Sequence, residues 1–569
     1  MNKVKAPWIK NLGDIPATLT YPDGSMIDAV ERFALSRPEL VAYNFMGATK
    51  TYANLVKDIY ACARSLLAIG IRPGQRVTIC MPNAPMSITM FYAINKVGAV
   101  ANMIHPMSGE KEIEFYLRDS QSVACLALDI CYDKINAIRE NLPHLKTVII
   151  TSVADGMTPV MRIGYALTQG RKVKKIPNNA DIISWKRFLV MGRAIANETY
   201  PTCSASDPAA ILYSGGTTGV TKGILLSNLN FNALGRQLIV TNPIFQPGDR
   251  MLAIMPMFHG FGLGVSIHAM LMHGGLCLLV PRFTPESYVQ LIRKHRPNFI
   301  AGVPTLYEAL LRIPNLESLD LSCLKGVFSG GDSLSIELKK RFDQFLKAHN
   351  ASIEIREGYG TTECVTASCL TPTHMAREGS IGFPFPDTFY KIVRVGTDIE
   401  VPYGTEGEIC LAGPTVMLEY VGQPEETAQT LRKHADGLTW VHTGDLGLID
   451  EDGFIYFRQR IKRMIVTSGY NVYPSQLENI LDANELVHLS CVIGVRDEYK
   501  IQKVKAFIVL KDGVKPDEGT RNKLIAYCEK HMAKYAVPYD MEFRNQLPKT
   551  LVGKVAYRKL EEEMERKAG

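Results

Sequence analysis

The sequence predicts an α/β protein: a large N-terminal part with αβ-layered, mostly parallel sheets, then a small α+β part. Two observations predict this. Through the first part, short apolar runs alternate with segments of helical period, the pattern of βαβ units and a parallel sheet. Beyond about residue 461, strand-like and helix-like segments mix over about a hundred residues, as in a compact α+β unit. The 569 residues leave room for roughly four units of about 150 residues.

The elements follow in order. RVTIC at 76–80 comes after the turn Pro73-Gly74 and reads as a strand. A helical pattern over 86–97 stops at Gly98. The apolar segment 99–104 ends at His105-Pro106, and 123–128 and 147–151 are further strands. Residues 157–176 differ, mixing apolar side chains with Arg162, Arg171, Lys172, Lys174 and Lys175. They read as a solvated surface insertion. The sharper alternative is a helix lying on a membrane surface, which Gly164 and Gly170 weaken. In the last part, 476–481 opens a helix, 492–495 and 504–510 are strands, Asp512-Gly513 is a turn, and 518–530 is a helix.

Composition narrows the function. The net charge of +7 is too mild for a nucleic-acid binder, which normally carries a strongly basic domain. No run approaches the ~18 apolar residues of a membrane span. The first sixteen residues lack the apolar core of a signal peptide. Twelve cysteines without a CxxC pair read as reduced thiols in a cytoplasmic enzyme, not as a disulfide framework or zinc site.

The segment 213–223, YSGGTTGVTKG, is the most informative. Its glycines allow backbone N–H groups close to phosphate oxygens, and its hydroxyls add donors. Lys222 adds a positive charge. Lys222 precedes Gly223, not Ser or Thr, so the loop is not a Walker A motif. At 358–363, GYGTTE sets Tyr359 between two glycines, where its ring face can meet a planar base. Thr362 offers a hydroxyl, and Glu363 a hard oxygen donor suited to Mg²⁺.

These two motifs, HTGD at 442–445 and LPKTLVGK at 547–554 occur in the order seen in adenylate-forming enzymes. The sequence thus resembles the superfamily of acyl-CoA synthetases, peptide-synthetase adenylation domains and beetle luciferases, from about Thr51 to Leu560. It is most similar to bacterial long-chain fatty-acid–CoA ligases, through GSIGFPFPD (379–387), GEICLAGPTVMLEY (407–420), SGYNVYPSQLE (468–478) and YAVPYDMEFRNQLPK (535–549).

The resemblance implies roles. Ser214, Gly215, Gly216, Thr217, Thr218, Gly219 and Lys222 would hold the β- and γ-phosphates of ATP. Tyr359 would stack on adenine within the nucleotide-binding stretch that includes Gly360 and Thr361. Thr362 would contact the α-phosphate and Glu363 would hold Mg²⁺. Asp445 would bind the ribose hydroxyls, with Arg460 beside it. His259 would line the way in for carboxylate and thiol. Gly331 and Asp332 would line the acyl and adenine pockets, Asp332 also being a candidate cap of the next helix. Lys554 would stabilise charge built on the phosphoryl oxygens.

The implied domains are 1–459, with the ATP and acyl sites, a hinge at 460–462 containing Lys462, and a small mobile domain, 463–569, carrying Lys554. Gly469 and Tyr470 would face CoA in a second pose. Three departures stand out by the same resemblance: Thr221 replaces a common proline, Gln459 a common Asp and Gln476 a common Glu.

The function implied is AMP-forming ligation of a carboxylic acid, with a long-chain fatty acid favoured, to CoA through an acyl-adenylate. Partners are then the acid, ATP and CoA, with Mg²⁺ as cofactor and no nucleic acid. A homodimer and peripheral membrane contact through 157–176 stay open. The alternatives are an adenylate ligase loading a free-standing carrier protein, a CoA ligase for an aromatic or sterol-type acid, a luciferase-like oxygenase and a nucleotide sensor. The Met-rich segment 255–275 suits an apolar tunnel, with Gly260, Gly262 and Gly264 expected to leave room for the acyl chain.

Overall fold

The computed structural model describes residues 4–167, 176–177, 179–195, 198–214, 221–467, 470–497, 499–550 and 553–568. Among these, the strands form four sheets. In the first, Ile355–Tyr359, Gly326–Ser329, Phe299–Gly302, Arg250–Ala253, Leu276–Leu279 and Val41–Phe45 run parallel, and antiparallel strands close both edges. The second holds Pro208–Tyr213, Val100–Ile104, Arg76–Cys80, Ala124–Leu128, Thr147–Thr151 and Ile182–Ser184 in parallel, with Gly223–Ser227 and Glu419–Tyr420 antiparallel at one edge.

Parallel strands are covered on both faces and therefore read as continuous apolar runs. ACLAL at Ala124–Leu128 is buried at every position. The helix Pro85–Lys96 is buried from Pro85 to Asn95 and belongs to one apolar core shared by both sheets. Proline opens this helix, where no backbone N–H is needed. Gly98, at φ +70°, follows its end.

The third sheet is antiparallel and centres on Thr439–Ile449, flanked by Gly407–Ala412, Leu431–Lys433 and Ile455–Arg460. It has its own core, with Trp8 and Leu12 packed on it. The fourth sheet is built on the long pair Val487–Asp497 and Ile501–Leu510. Side chains alternate across a strand, so Cys491, Ile493, Phe507 and Val509 face the C-terminal helix Tyr557–Ala568. Val492, Val504, Ala506 and Ile508 face the helices Pro474–Asp482 and Glu518–His531.

The elements expected from the sequence are present within a few residues. The strand over 492–495 is longer, because its alternation serves two cores at once. In the segment 157–176, Pro159–Leu167 is a helix, and 168–175 lie outside the described residues. One reading is corrected. The cap of helix Ile336–Ala348 is Ser335, whose hydroxyl accepts from the Leu338 N–H. Asp332 instead accepts from its neighbour Ser333.

Candidate active site

The site is assembled from strand ends of three sheets and from the C-terminal segment. Pro208–Tyr213 and Gly223–Ser227 pair antiparallel, with Tyr213 opposite Gly223. The Gly/Thr-rich segment is therefore the loop of a hairpin. Gly215, Gly216, Thr217, Thr218 and Gly219 lie outside the described residues. Ser214 and Lys222 meet across its base, where the Ser214 N–H donates to the Lys222 carbonyl at 3.2 Å. The Lys222 ammonium pairs with Glu426 and lies 4.7 Å from the centre of the Tyr420 ring.

Tyr420 ties this base to the second motif, for its hydroxyl donates to Glu363 Oε1 at 2.7 Å. The Met417 N–H bonds the Glu363 carbonyl at 2.8 Å. The other Glu363 carboxylate oxygen has no hydrogen-bond partner among the described residues. Thr362 and Glu363 sit in the short turn Thr362–Cys364. The next residue, Val365, has φ +65°, rare for a β-branched residue and a mark of a backbone held by its surroundings.

Asp445 and Arg460 face each other on paired strands, with Arg460 Nε 3.4 Å from Asp445 Oδ1. The Tyr359 hydroxyl donates to Asp445 Oδ2 at 2.6 Å. Burial pushes the Asp445 carboxyl up, while Arg460 and the Tyr359 hydroxyl pull it back. Asp445 Oδ1 and Thr361 Oγ1 are buried without a hydrogen-bond partner among the described residues. Such groups normally find a partner in protein or water, and Asp445 Oδ1 has the Arg460 charge beside it.

Lys554 reaches this cluster from the C-terminal segment. A Cβ at Gly331 would lie 3.3 Å from Lys554 Cε and 3.8 Å from its Nζ, so Lys554 packs directly on this residue, whose φ of +82° favours glycine. Thr305 Oγ1 donates to the Gly553 carbonyl at 2.7 Å and pins the segment. Burial lowers the Lys554 ammonium below the usual lysine range, and Asp332 and Asp445 partly restore it. His259 is pushed down to about 3, by burial first and by the Lys554 charge second, so its imidazole is neutral at physiological pH. Its Nδ1 accepts from the Phe261 N–H at 3.2 Å.

Beneath Gly330 and Gly331 lies a cavity of about 710 Å³ including its open side, walled chiefly by apolar groups such as Leu238, Phe245, Phe261, Val265 and Phe299. The segment 255–275 contributes to this wall through the π-helical stretch Phe261–His268. Its glycines serve another purpose than the sequence reading gave them. A Cβ at Gly260 would lie 1.7 Å from the Val365 carbonyl oxygen, and one at Gly262 2.2 Å from that of Pro256. A Cβ at Gly264 would meet Leu234 at 2.8 Å. Gly260 and Gly262 permit close backbone packing and Gly264 close side-chain packing, so the space beside them is already filled.

The AMP-binding enzyme family matches residues 30–421, and the C-terminal domain of AMP-binding enzymes matches 476–554. The chain belongs to this family. A long-chain-fatty-acid–CoA ligase of Bacillus subtilis is 34% identical over 565 residues, covering 98% of both chains. One from Salmonella typhimurium is 31% identical, again with 98% of each covered. Among solved structures, the anthranilate CoA ligase AuaEII in complex with anthranoyl-AMP superposes with a TM-score of 0.83 at 25% identity, covering 98% of this chain and 99% of that one. ATP-bound MatB from Rhodopseudomonas palustris gives 0.81 at 26%, covering 95% and 99%.

In this AMP-binding enzyme, contacts link Lys222 through Tyr420 to Glu363, next to Thr362, and Tyr359 through Asp445 to Arg460, while Lys554 packs against Gly331 and acts electrostatically with Asp332, Asp445, Arg460 and His259. Lys462 lies in the turn Ile461–Arg463 and acts electrostatically on Glu426. Tyr470 is elsewhere, stacked on Tyr535 with ring centres 4.4 Å apart, and Gly469 lies outside the described residues. Tyr420 and Glu426 are the site residues that sequence reasoning missed. Tyr420 ends the quoted stretch 407–420, and pairing of its strand with Gly223–Ser227 is what delivers it.

Proposed function

We propose that the protein joins a long-chain carboxylic acid to CoA in two steps through an acyl-adenylate. The observation that carries this reading is the seating of Lys554 over Gly331, at the opening of the apolar cavity and beside Asp332, Asp445 and Arg460. An acid whose tail fills the cavity has its carboxylate beneath the ammonium. A carboxylate oxygen attacks the α-phosphorus of ATP, the bond to pyrophosphate breaks, and Lys554 and Thr362 stabilise the growing oxyanion charge. Asp445 Oδ1 accepts from a ribose hydroxyl, and Tyr359 flanks the adenine. The thiol of CoA then attacks the acyl carbon, releasing AMP. The protein supplies position and charge, with no covalent nucleophile.

Glu363, with one oxygen held by Tyr420 and the other free, fits Mg²⁺, which favours one or two carboxylates together with phosphate oxygens. When bound, that ion neutralises phosphate charge. The residues 460–462 with Lys462 form the hinge of this reading, separating 1–459 from 463–569. Turning the small part would withdraw Lys554 and bring the segment around Gly469 and Tyr470 to the site. On the helix Pro159–Leu167, Val160, Ile163 and Leu167 are exposed. With Arg171, Lys172, Lys174 and Lys175 of the sequence, they support contact with an anionic membrane face, from which a fatty acid is taken. No helix among the described residues is long and apolar enough to cross a membrane.

The test is a product assay with ATP, Mg²⁺ and a panel of acids, with and without CoA. AMP, pyrophosphate and acyl-CoA, best with long chains, are expected. Acyl-adenylate without thioester in the presence of CoA overturns the second step and points to a carrier-protein ligase.

A further inference from the structure

At the third sheet, three side chains converge that the ligase chemistry does not use. We propose that Asp398, His434 and His442 form a binding site for a first-row divalent transition metal, Zn²⁺ foremost. His434 Nε2 and His442 Nε2 point at each other, 3.0 Å apart. Asp398 Oδ1 lies 3.6 Å from the first and 3.4 Å from the second. Tetrahedral Zn²⁺ with bonds of about 2.0–2.1 Å separates its ligand atoms by about 3.3 Å. The three observed separations bracket that edge length. Both imidazoles are buried and Asp398, whose Oδ1 also accepts from Arg432 at 3.2 Å, is half-exposed, so an ion would enter on the Asp398 side.

The surroundings suit such an ion. His442 Nδ1 donates to Glu408 Oε2 at 3.0 Å, the carboxylate–histidine pairing that fixes a metal ligand's tautomer and raises its basicity. Because Nδ1 holds the proton, His442 Nε2 presents its lone pair to the centre. Charge also balances toward a cation. Asp398, Glu408 and Asp436 oppose Arg432, which is 3.2 Å from Asp398, and Lys391, which is 2.8 Å from Asp436. One negative charge is left over. Without metal, His434 donates its Nε2 proton to His442. With metal, that proton resides on Nδ1, which is buried without a partner among the described residues, and His434 is thus the weaker imidazole ligand.

The position gives the metal a consequence. Glu408 Oε1 also accepts the Gly444 N–H at 3.0 Å. Gly444 precedes Asp445, so the metal, His442 and Glu408 together anchor the turn that aims the ribose-binding carboxylate.

The test uses the full chain stripped by a chelator, then titrated with Zn²⁺ against a chromophoric chelator. The wild type is compared with Asp398→Asn and His434→Gln. Cysteines and other histidines bind zinc too, so the difference in tight sites decides. The wild type is expected to hold one more tight Zn²⁺ than His434→Gln, and Asp398→Asn to weaken that site at least about 10-fold. Co²⁺ should give the intense visible bands of a tetrahedral centre in the wild type alone. Equal numbers of tight sites in all three folded proteins, checked by matching thermal melts without metal, overturn the proposal. The half-exposed Asp398 is the substitution least able to disturb folding.

Discussion

Tyr359 donates its hydroxyl proton to Asp445 at 2.6 Å, and this bond orients the carboxylate that the proposed reaction turns toward ribose. Tyr359→Phe removes the donor and leaves a buried carboxylate oxygen unpaired. A hydrogen bond to a charged group contributes about 1.5–3 kcal/mol. The KM for ATP should therefore rise by about 10-fold or more, with the ring's stacking retained. An unchanged KM in steady-state assays removes Tyr359 from the positioning of Asp445.

Lys222 pairs with the carboxylate of Glu426, a side chain that is 45% exposed. In the proposed reaction a phosphate takes that place. Exposed ion pairs contribute at most about 1 kcal/mol, so ATP displaces Glu426 at small cost. Glu426→Gln should lower the KM for ATP by about 2- to 5-fold, the equivalent of that energy. A raised KM would mean that Glu426 helps to bind the nucleotide.

Lys554→Ala separates the two half-reactions. Formation of acyl-adenylate should fall by about 100-fold or more, the scale of a lost charge stabiliser. Conversion of supplied acyl-adenylate with CoA should fall far less. The ammonium titrates below the usual lysine range because it is buried, and only its charged form stabilises the oxyanion. In the wild type, adenylation should decline on the alkaline side at a lower pH than an ordinary lysine would give, and Lys554→Arg should move that limb upward. Equal loss in both half-reactions counts against the assigned role.

The sheets were legible because parallel strands buried on two faces read as unbroken apolar runs, and the helix Pro85–Lys96 because its helical pattern stops at Gly98. The residues clustered around Glu363, Asp445 and Lys554 were legible in motifs, each carried by a continuous stretch. Partnerships that close the site were not. Tyr420 meets Glu363, and Glu426 meets Lys222, only because the short strand Glu419–Tyr420 pairs with Gly223–Ser227. A two-residue strand has too little periodicity to announce its pairing. Asp332 was a reasonable helix cap by composition, yet Ser335 is one turn closer to the helix.

Glu357 offers a pH test within the first sheet. Burial raises its carboxyl from 4.5 to about 7, against the pull of the Leu334 N–H. Between those two pH values the folded state holds a proton that the unfolded state has released. Stability therefore falls as pH rises through this window, and the loss is complete above about 7. Glu357→Gln keeps an acceptor for Leu334 and carries no charge. Relative to wild type it should be equally stable near pH 4.5 and more stable at pH 8, by up to about 3 kcal/mol. Thermal melts of both proteins at the two pH values measure this. A difference that does not grow with pH places the Glu357 carboxyl at its ordinary value.

Gly262 decides between two views of the segment 255–275. If its missing side chain makes room for the acyl tail, Gly262→Ala shortens the preferred chain and leaves the melting temperature alone. The packing argues otherwise, because the added Cβ would lie 2.2 Å from the Pro256 carbonyl oxygen and 2.3 Å from that of Met255. Both are backbone atoms, which cannot swing aside as a flexible side-chain end would. The strain falls on the turn before the π-helical stretch Phe261–His268, whose Phe261 and Val265 wall the cavity. Overpacking of this kind destabilises by about 1–3 kcal/mol. The melting temperature should fall, and the chain-length optimum among fatty acids should stay where it is in the wild type. The tail's space is then set by the side chains on the cavity wall, so that Val265→Phe, not a change at the glycines, is the substitution that shifts the optimum to shorter acids.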